Sequence, residues 1–245
     1  FIEHAVRRTG ASARQQALFA ALETGGRLAS ELHDRWTPDR VGKTIRRRIG
    51  ELLQPGDILV TRHDTAVTNL FLPGYWPHAA LFVGGDTDRR RLAIELDSDR
   101  RDRWSGDRMV LEALKDGVLF RRLDETLAVD AVAVIRPQIG PTLIAQAIAR
   151  AARHEGKGYD FDFDFFRSDM LVCTEVIYRA YDGVGPVRLT LTERSGRPTL
   201  SAEDLLDLAL EGSCFAPLAV FGAPTCPDEL VVGEDALEAI RGSYR

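Results

Sequence analysis

Cysteine is scarce in this chain, and so is histidine. The three cysteines, Cys173, Cys214 and Cys226, are too few and too widely spaced for a disulfide framework. Cys214 and Cys226 would pair only in an oxidising compartment; free buried thiols are the expectation. No CxxC or HxxxH spacing offers a zinc ligand set, so no metal and no cofactor is expected. No apolar run reaches the ~18 residues a membrane-spanning helix needs. Cationic excess is also missing. The net charge of −5 gives the chain no basic surface for nucleic acid or an acidic membrane. Neither a GxSxG elbow nor a GxxxxGK[ST] phosphate loop is present. Internal repeats are absent. The chain begins at Phe1 rather than Met, which is consistent with a trimmed upstream segment. A soluble protein, cytoplasmic or exported, is expected, with its compartment and oligomeric state left open.

What is present is an ordinary globular composition with enough apolar residues for a sizeable core. Residues 1–50 read as a helical extension. One helical stripe carries Leu18, Phe19 and Leu22 and stops at Gly25-Gly26. A second helical segment has Thr37 as N-cap and Pro38 at its first position. The basic run KTIRRRIG within it reads as a solvated helix face. At Pro55-Gly56-Asp57 the texture changes to a turn followed by the strand ILVTR. Further strands are expected at HAALFV, LAIEL (92–96), VLFRRL (118–123), AVAVIRP (131–137), VRLTLTE and FAPLAVFG. Helices are expected over 141–155, at LVCTEVIYRAY and at SAEDLLDLAL, the last capped by Ser201. YDFDFDFF (159–166) alternates aromatic and acidic residues. It lacks the glycine and terminal glutamate of a calcium loop and reads as a strand or extended loop. Strands and helices follow one another without strict alternation, which predicts an α+β fold with a mostly antiparallel sheet. The residues beyond 222 read as a peripheral tail.

Two residues carry potential chemistry. Cys173 falls at the start of a helix, where unpaired N–H groups and the positive end of the dipole favour a thiolate. Its bland alternative is a buried apolar cysteine. His78 opens a strand; its bland alternative is a satisfied structural histidine. If HAALFV and LAIEL form a hairpin symmetric about their turn, Leu81 faces Ile94, Ala80 faces Glu95 and His78 faces Asp97. Glu95 then lies diagonal to His78 on one face and could orient the imidazole, with Asp97 as its competitor. A slip of one residue breaks this arrangement, and Glu95 then simply faces solvent.

The ordered set PGDILVTR, GYWPHAALFVG, AIEL, GYDFDFDF and CTEVIYRAY resembles the permuted papain-like amidases of the YiiX/YaeF-like group, relatives of the NlpC-type cysteine peptidases. The resemblance runs from about Leu53 to Tyr181, with a weaker tail to about Gly222. It implies a circularly permuted papain-like fold in which the histidine strand precedes the cysteine helix. Residues 51–222 would form the catalytic domain, with 1–50 as extension and 223–245 as tail. It further implies Cys173 as nucleophile, His78 as base and acid, Glu95 as orienting carboxylate, and Tyr75 and Tyr159 as substrate or oxyanion contacts. The expected activity is hydrolysis of a peptide, isopeptide or other small amide. Two other readings stay open. One is thiol-dependent acyl transfer, with Phe71, Leu72, Trp76 and Phe82 lining an acyl cleft. The other is an inactive binding module on the same fold.

Overall fold

The computed structural model describes residues 39–64, 74–160, 170–194 and 196–244. Strands β1 (Ile58–Arg62), β2 (His78–Phe82), β3 (Arg108–Leu114), β4 (Gly117–Arg122), β5 (Ala131–Pro137), β10 (Phe215–Phe221) and β11 (Val231–Val232) form one sheet. Its order is β11-β10-β5-β1-β2-β3-β4, and every pairing in it is antiparallel. Between β4 and β10 the chain also forms two short pairs, β6 (Gly158–Tyr159) with β7 (Met170–Leu171), and β8 (Thr192–Arg194) with β9 (Arg197–Thr199).

The central strands are apolar at consecutive positions because both sheet faces are covered. Ile58, Val60, Ala79 and Leu81 point to one face. They pack there with Ala147 and Ile148 of helix Pro141–Ala152 and with Val176 and Ile177 of helix Cys173–Tyr181. Leu59, Ala80, Phe82, Val132 and Val134 point to the other face. Ile49 of the helix Lys43–Leu52 (α1) and Leu127 cover them. The strand period of two therefore sorts one apolar run into two cores. On α1, Arg47 and Arg48 face solvent while Ile49 is buried, as the basic run suggested. The expected cap at Thr37-Pro38, and the first helix with Leu18, Phe19 and Leu22, lie outside the described residues.

Three expectations are corrected. LAIEL is not a strand. Gly85 caps a short helix, Asp86–Arg91, held by the pairs Asp86–Arg89 and Asp88–Arg91. Ala93 then takes a left-handed backbone (φ 51°), and a second short helix spans Ser98–Arg103. Ile94 plugs the core from a connector, so its alternation with exposed neighbours is not a strand period. Second, the strand beside β2 is RMVLEAL, built from good helix formers that conceal it. The Lys115-Asp116 turn, with Gly117 after it opening β4, is the available signal. Third, the residues beyond 222 are not peripheral. Helix Glu234–Ser243 buries Ala236 and Ile240 in the core, and Ser243 Oγ accepts the indole N–H of Trp76 at 2.8 Å. The expected strand VRLTLTE shortens to Thr192–Arg194. Helix Ala202–Glu211 starts at Ser201 in a full capping box, Ser201 and Asp204 each bonding the other's backbone N–H.

The Pro55-Gly56-Asp57 turn joins the sheet to the cysteine helix. Gly56 has φ 99°, and a Cβ there would meet Ile144 at 2.8 Å, so the close approach requires glycine. Its carbonyl accepts the hydroxyl of Tyr181, at the far end of that helix. Asp57 is buried and takes a two-pronged pair from Arg136 at 2.7 and 2.9 Å, plus the Gln54 N–H at 2.8 Å. Substituting Asp57→Ala strands the guanidinium and should cost about 3–5 kcal/mol in denaturant unfolding. A loss under about 1 kcal/mol would show that the pair is not structural.

Candidate active site

Strand alternation places His78 on the face shared with Ala80 and Phe82. On β3 the pairs Leu81–Leu111 and Phe82–Val110 fix the register, and continuing it sets Ala80 across from Glu112. His78 and Glu112 are therefore diagonal neighbours on one face. His78 Nε2 and Glu112 Oε2 are 2.9 Å apart. Glu112 is 3% exposed, yet both its oxygens are engaged: Oε1 accepts the Thr126 hydroxyl at 2.9 Å and lies 3.4 Å from Arg121 Nε.

Cys173 is the first residue of its helix. The N-cap, Val172, has no side chain able to bond the first-turn N–H groups; Glu175 N–H turns back to Val172 O at 3.1 Å, and the positive helix end favours an anion at the residues before it. The β2–β3 ladder covers only Leu81 and Phe82, so the strands part toward His78. Val83 N–H donates to Met109 on the β3 side, and by the same parity Ala79 N–H points that way, past the ladder's end. It meets the sulfur of Cys173, which also accepts the Thr174 N–H and is hydrogen-bonded to the His78 ring.

The electrostatics follow from this geometry. Burial alone would push the Cys173 thiol up. The His78 charge, the bond to its ring and the two backbone N–H groups outweigh burial and bring the thiol below its ordinary range. Burial pulls His78 down, but Cys173 and Glu112 on its two sides raise it to about 10. Glu175, two residues past the cysteine, is fully buried. Burial pushes its carboxyl up to about 7 despite Arg179, whose guanidinium bonds Oε1 at 2.8 and 3.1 Å. Below that pH the first turn carries no carboxylate to compete with a thiolate.

Cys173 and His78 are thus brought together from distant parts of the chain. Glu95 is not brought to them: it is exposed on the connector before Ser98–Arg103, and Asp97 is occupied capping that helix through Arg100 N–H. The expected hairpin register failed because Asp86–Arg103 folds as two short helices and leaves the place beside β2 to residues 108–114. The carboxylate that sequence reasoning missed, Glu112, alternates with Leu111 and Ala113 in a strand that was not recognised. Tyr159 feels the charge of the sulfur. Burial first, then the charges of Cys173 and Asp160, push its hydroxyl well up. Tyr75 braces the approach to β2 instead. Its hydroxyl donates to Gly222 O at 2.9 Å, its N–H donates to Glu203 at 2.6 Å, and Arg62 stacks on its ring. Only two of the four residues expected to line an acyl cleft fall within the described residues. Trp76 and Phe82 belong to cores on opposite sheet faces, and Phe71 and Leu72 lie outside the described residues. Among the described residues, no group of three or more His, Cys, Asp or Glu side chains could hold a metal ion.

Replacing Glu112→Gln keeps the volume and removes the charge. It should lower the His78 pKa by about 1–3 pH units and raise that of Cys173, read from the pH dependence of iodoacetamide labelling. Glu95→Gln should leave the profile unchanged. The reverse pattern would restore Glu95 as the partner.

No curated protein matches the chain. Among solved structures, the crystal structure of metalloprotein yiiX from Escherichia coli O157:H7 is similar at 18% identity and a TM-score of 0.44, over 79% of this chain and 96% of that one. Residues 52–204 match the family described as permuted papain-like amidase enzyme, YaeF/YiiX, C92 family. With the histidine strand ahead of the cysteine helix, and the match spanning both, this chain belongs to the permuted papain-like amidases, a family of cysteine hydrolases.

Proposed function

We propose that the chain cleaves an amide bond through Cys173, His78 and Glu112, by way of a thioester. The observation that carries this reading is the hydrogen-bonded Cys173–His78 pair at a helix start, with a buried carboxylate behind the ring. The thiolate adds to the carbonyl carbon while the carbonyl π electrons move to oxygen. The Cys173 N–H, at the positive end of the helix dipole, is suited to that oxyanion. The imidazolium gives its proton to the departing amine nitrogen as the C–N bond breaks, leaving a thioester and a neutral ring. The ring then takes a proton from water, hydroxide adds to the thioester, and the C–S bond breaks to return the thiolate beside an imidazolium. Glu112 holds the ring orientation and balances its charge in both halves. Tyr159, within electrostatic reach of the sulfur, is suited to contact the substrate.

Hydrolysis is favoured over acyl transfer because the two described residues expected to hold an acyl chain, Trp76 and Phe82, belong to separate cores and do not share a cleft. An inactive binding module would have no use for a sulfur whose acidity is raised, and three separate elements here converge on one.

Cys173→Ser should reduce amine release from a panel of peptide, isopeptide and aminoacyl amides by about a thousandfold or more, with the fold intact by circular dichroism. Retained hydrolysis would remove the nucleophile assignment. A substrate-free test compares two thiols of equal burial. Cys173 is 6% exposed and Cys226 5%, yet the first is shifted down and the second, mainly by burial, up. At pH 7 iodoacetamide should label Cys173 well ahead of Cys226, as followed by peptide mass. Equal rates would contradict an ionised Cys173.

A further inference from the structure

A carboxylate that orients an imidazole must itself be held. The terminal torsion of a glutamate is broad and two-fold, so its partners decide which oxygen faces the ring. Glu112 spends Oε2 on His78, which leaves Oε1 buried and in need of a donor. Thr126 supplies it. Its hydroxyl has one proton and two acceptors in view, Glu112 Oε1 at 2.9 Å and Arg122 O at 3.4 Å; the shorter contact takes the proton. Thr126 is buried and β-branched, with few rotamers to lose.

The backbone around Thr126 is equally fixed. It closes the single turn Leu123–Thr126 that follows β4 without a break. Glu125 accepts the Arg122 N–H at 3.3 Å, and Leu127 N–H returns to Leu123 O at 2.9 Å. From outside the family match, α1 backs this turn. Arg46 donates to Asp124 O at 3.0 Å, and Leu123 lies against Gly50. Arg121, also paired with Asp116, brings a positive charge to the same oxygen.

We propose that Thr126 is a positioning residue of the amidase site, fixing Glu112 so that Oε2 stays on His78, with Arg121 as its counter-charge and α1 as the backing of the turn. The inference rests on the Cys173–His78–Glu112 reading. Without the hydroxyl, Oε1 loses its donor and the carboxylate is free to turn from the ring. His78 then holds its proton less firmly and Cys173 ionises at higher pH.

The test uses the full chain and iodoacetamide as probe, so no substrate need be known. Thr126→Val exchanges a hydroxyl for a methyl. It should move the Cys173 ionisation midpoint up by about one pH unit, a tenfold weaker acid, with the His78 imidazole pKa, followed by NMR, moving down. Thr126→Ser should restore both, which a merely structural role for the side chain would not require. Adding Thr126→Val to Glu112→Gln should cause no further shift. If Thr126→Val does not fold, Thr126→Ala is judged by the same criteria. Unchanged midpoints in a folded Thr126 variant, alongside a shifted Glu112→Gln, overturn this inference alone. Unchanged midpoints in Glu112→Gln overturn the reading beneath it.

Discussion

A positive imidazole in a largely dry place is the constraint on which this structure turns. Burial is the largest influence on His78 and opposes its charge. Only negative partners on both sides overcome it: sulfur on one, the Glu112 carboxylate on the other. Burial opposes the thiolate as well. The thiolate and the imidazolium therefore depend on each other, and losing one leaves the other buried and less compensated.

That dependence explains several features of the fold that would otherwise look unrelated. Strands β2 and β3 pair over two residues and then part, which frees the Ala79 N–H for the sulfur while keeping Glu112 diagonal to His78. The cysteine helix begins at its first useful residue, so no side chain intervenes between the helix end and the anion. Two sheet faces contribute unequally. One carries the packing of the cysteine helix; the other carries Glu112, Thr126 and α1.

Much of this was readable from residues alone. A cysteine before Val176-Ile177 and Ala180-Tyr181 at helical spacing announces a helix start, and a histidine at the head of HAALF announces a strand edge. The two cores follow from Ile58-Leu59-Val60, apolar on consecutive positions. The carboxylate was not readable, and the reason is physical. Which acid reaches a strand residue depends on register, and register depends on which segment becomes the neighbouring strand. LAIEL has the period of a strand but sits between two arginine-rich turns of helix. RMVLEAL has the composition of a helix but is drawn into the sheet by the Lys115-Asp116 turn. Local preference favoured the wrong segment, and tertiary pairing decided. The tail beyond 222 is hard to read for a similar reason: its apolar face is short, and what it covers, the indole of Trp76 included, comes from far earlier in the chain.

The segment leading into His78 is anchored by residues far later in the chain, Glu203 on the Tyr75 N–H and Ser243 on the Trp76 indole. During synthesis on the ribosome, both reactive groups emerge well before those anchors do. The nascent polypeptide therefore exposes its thiol and its imidazole while the strand that aligns them is still untethered. The two groups are aligned only once those later segments have folded against the strand.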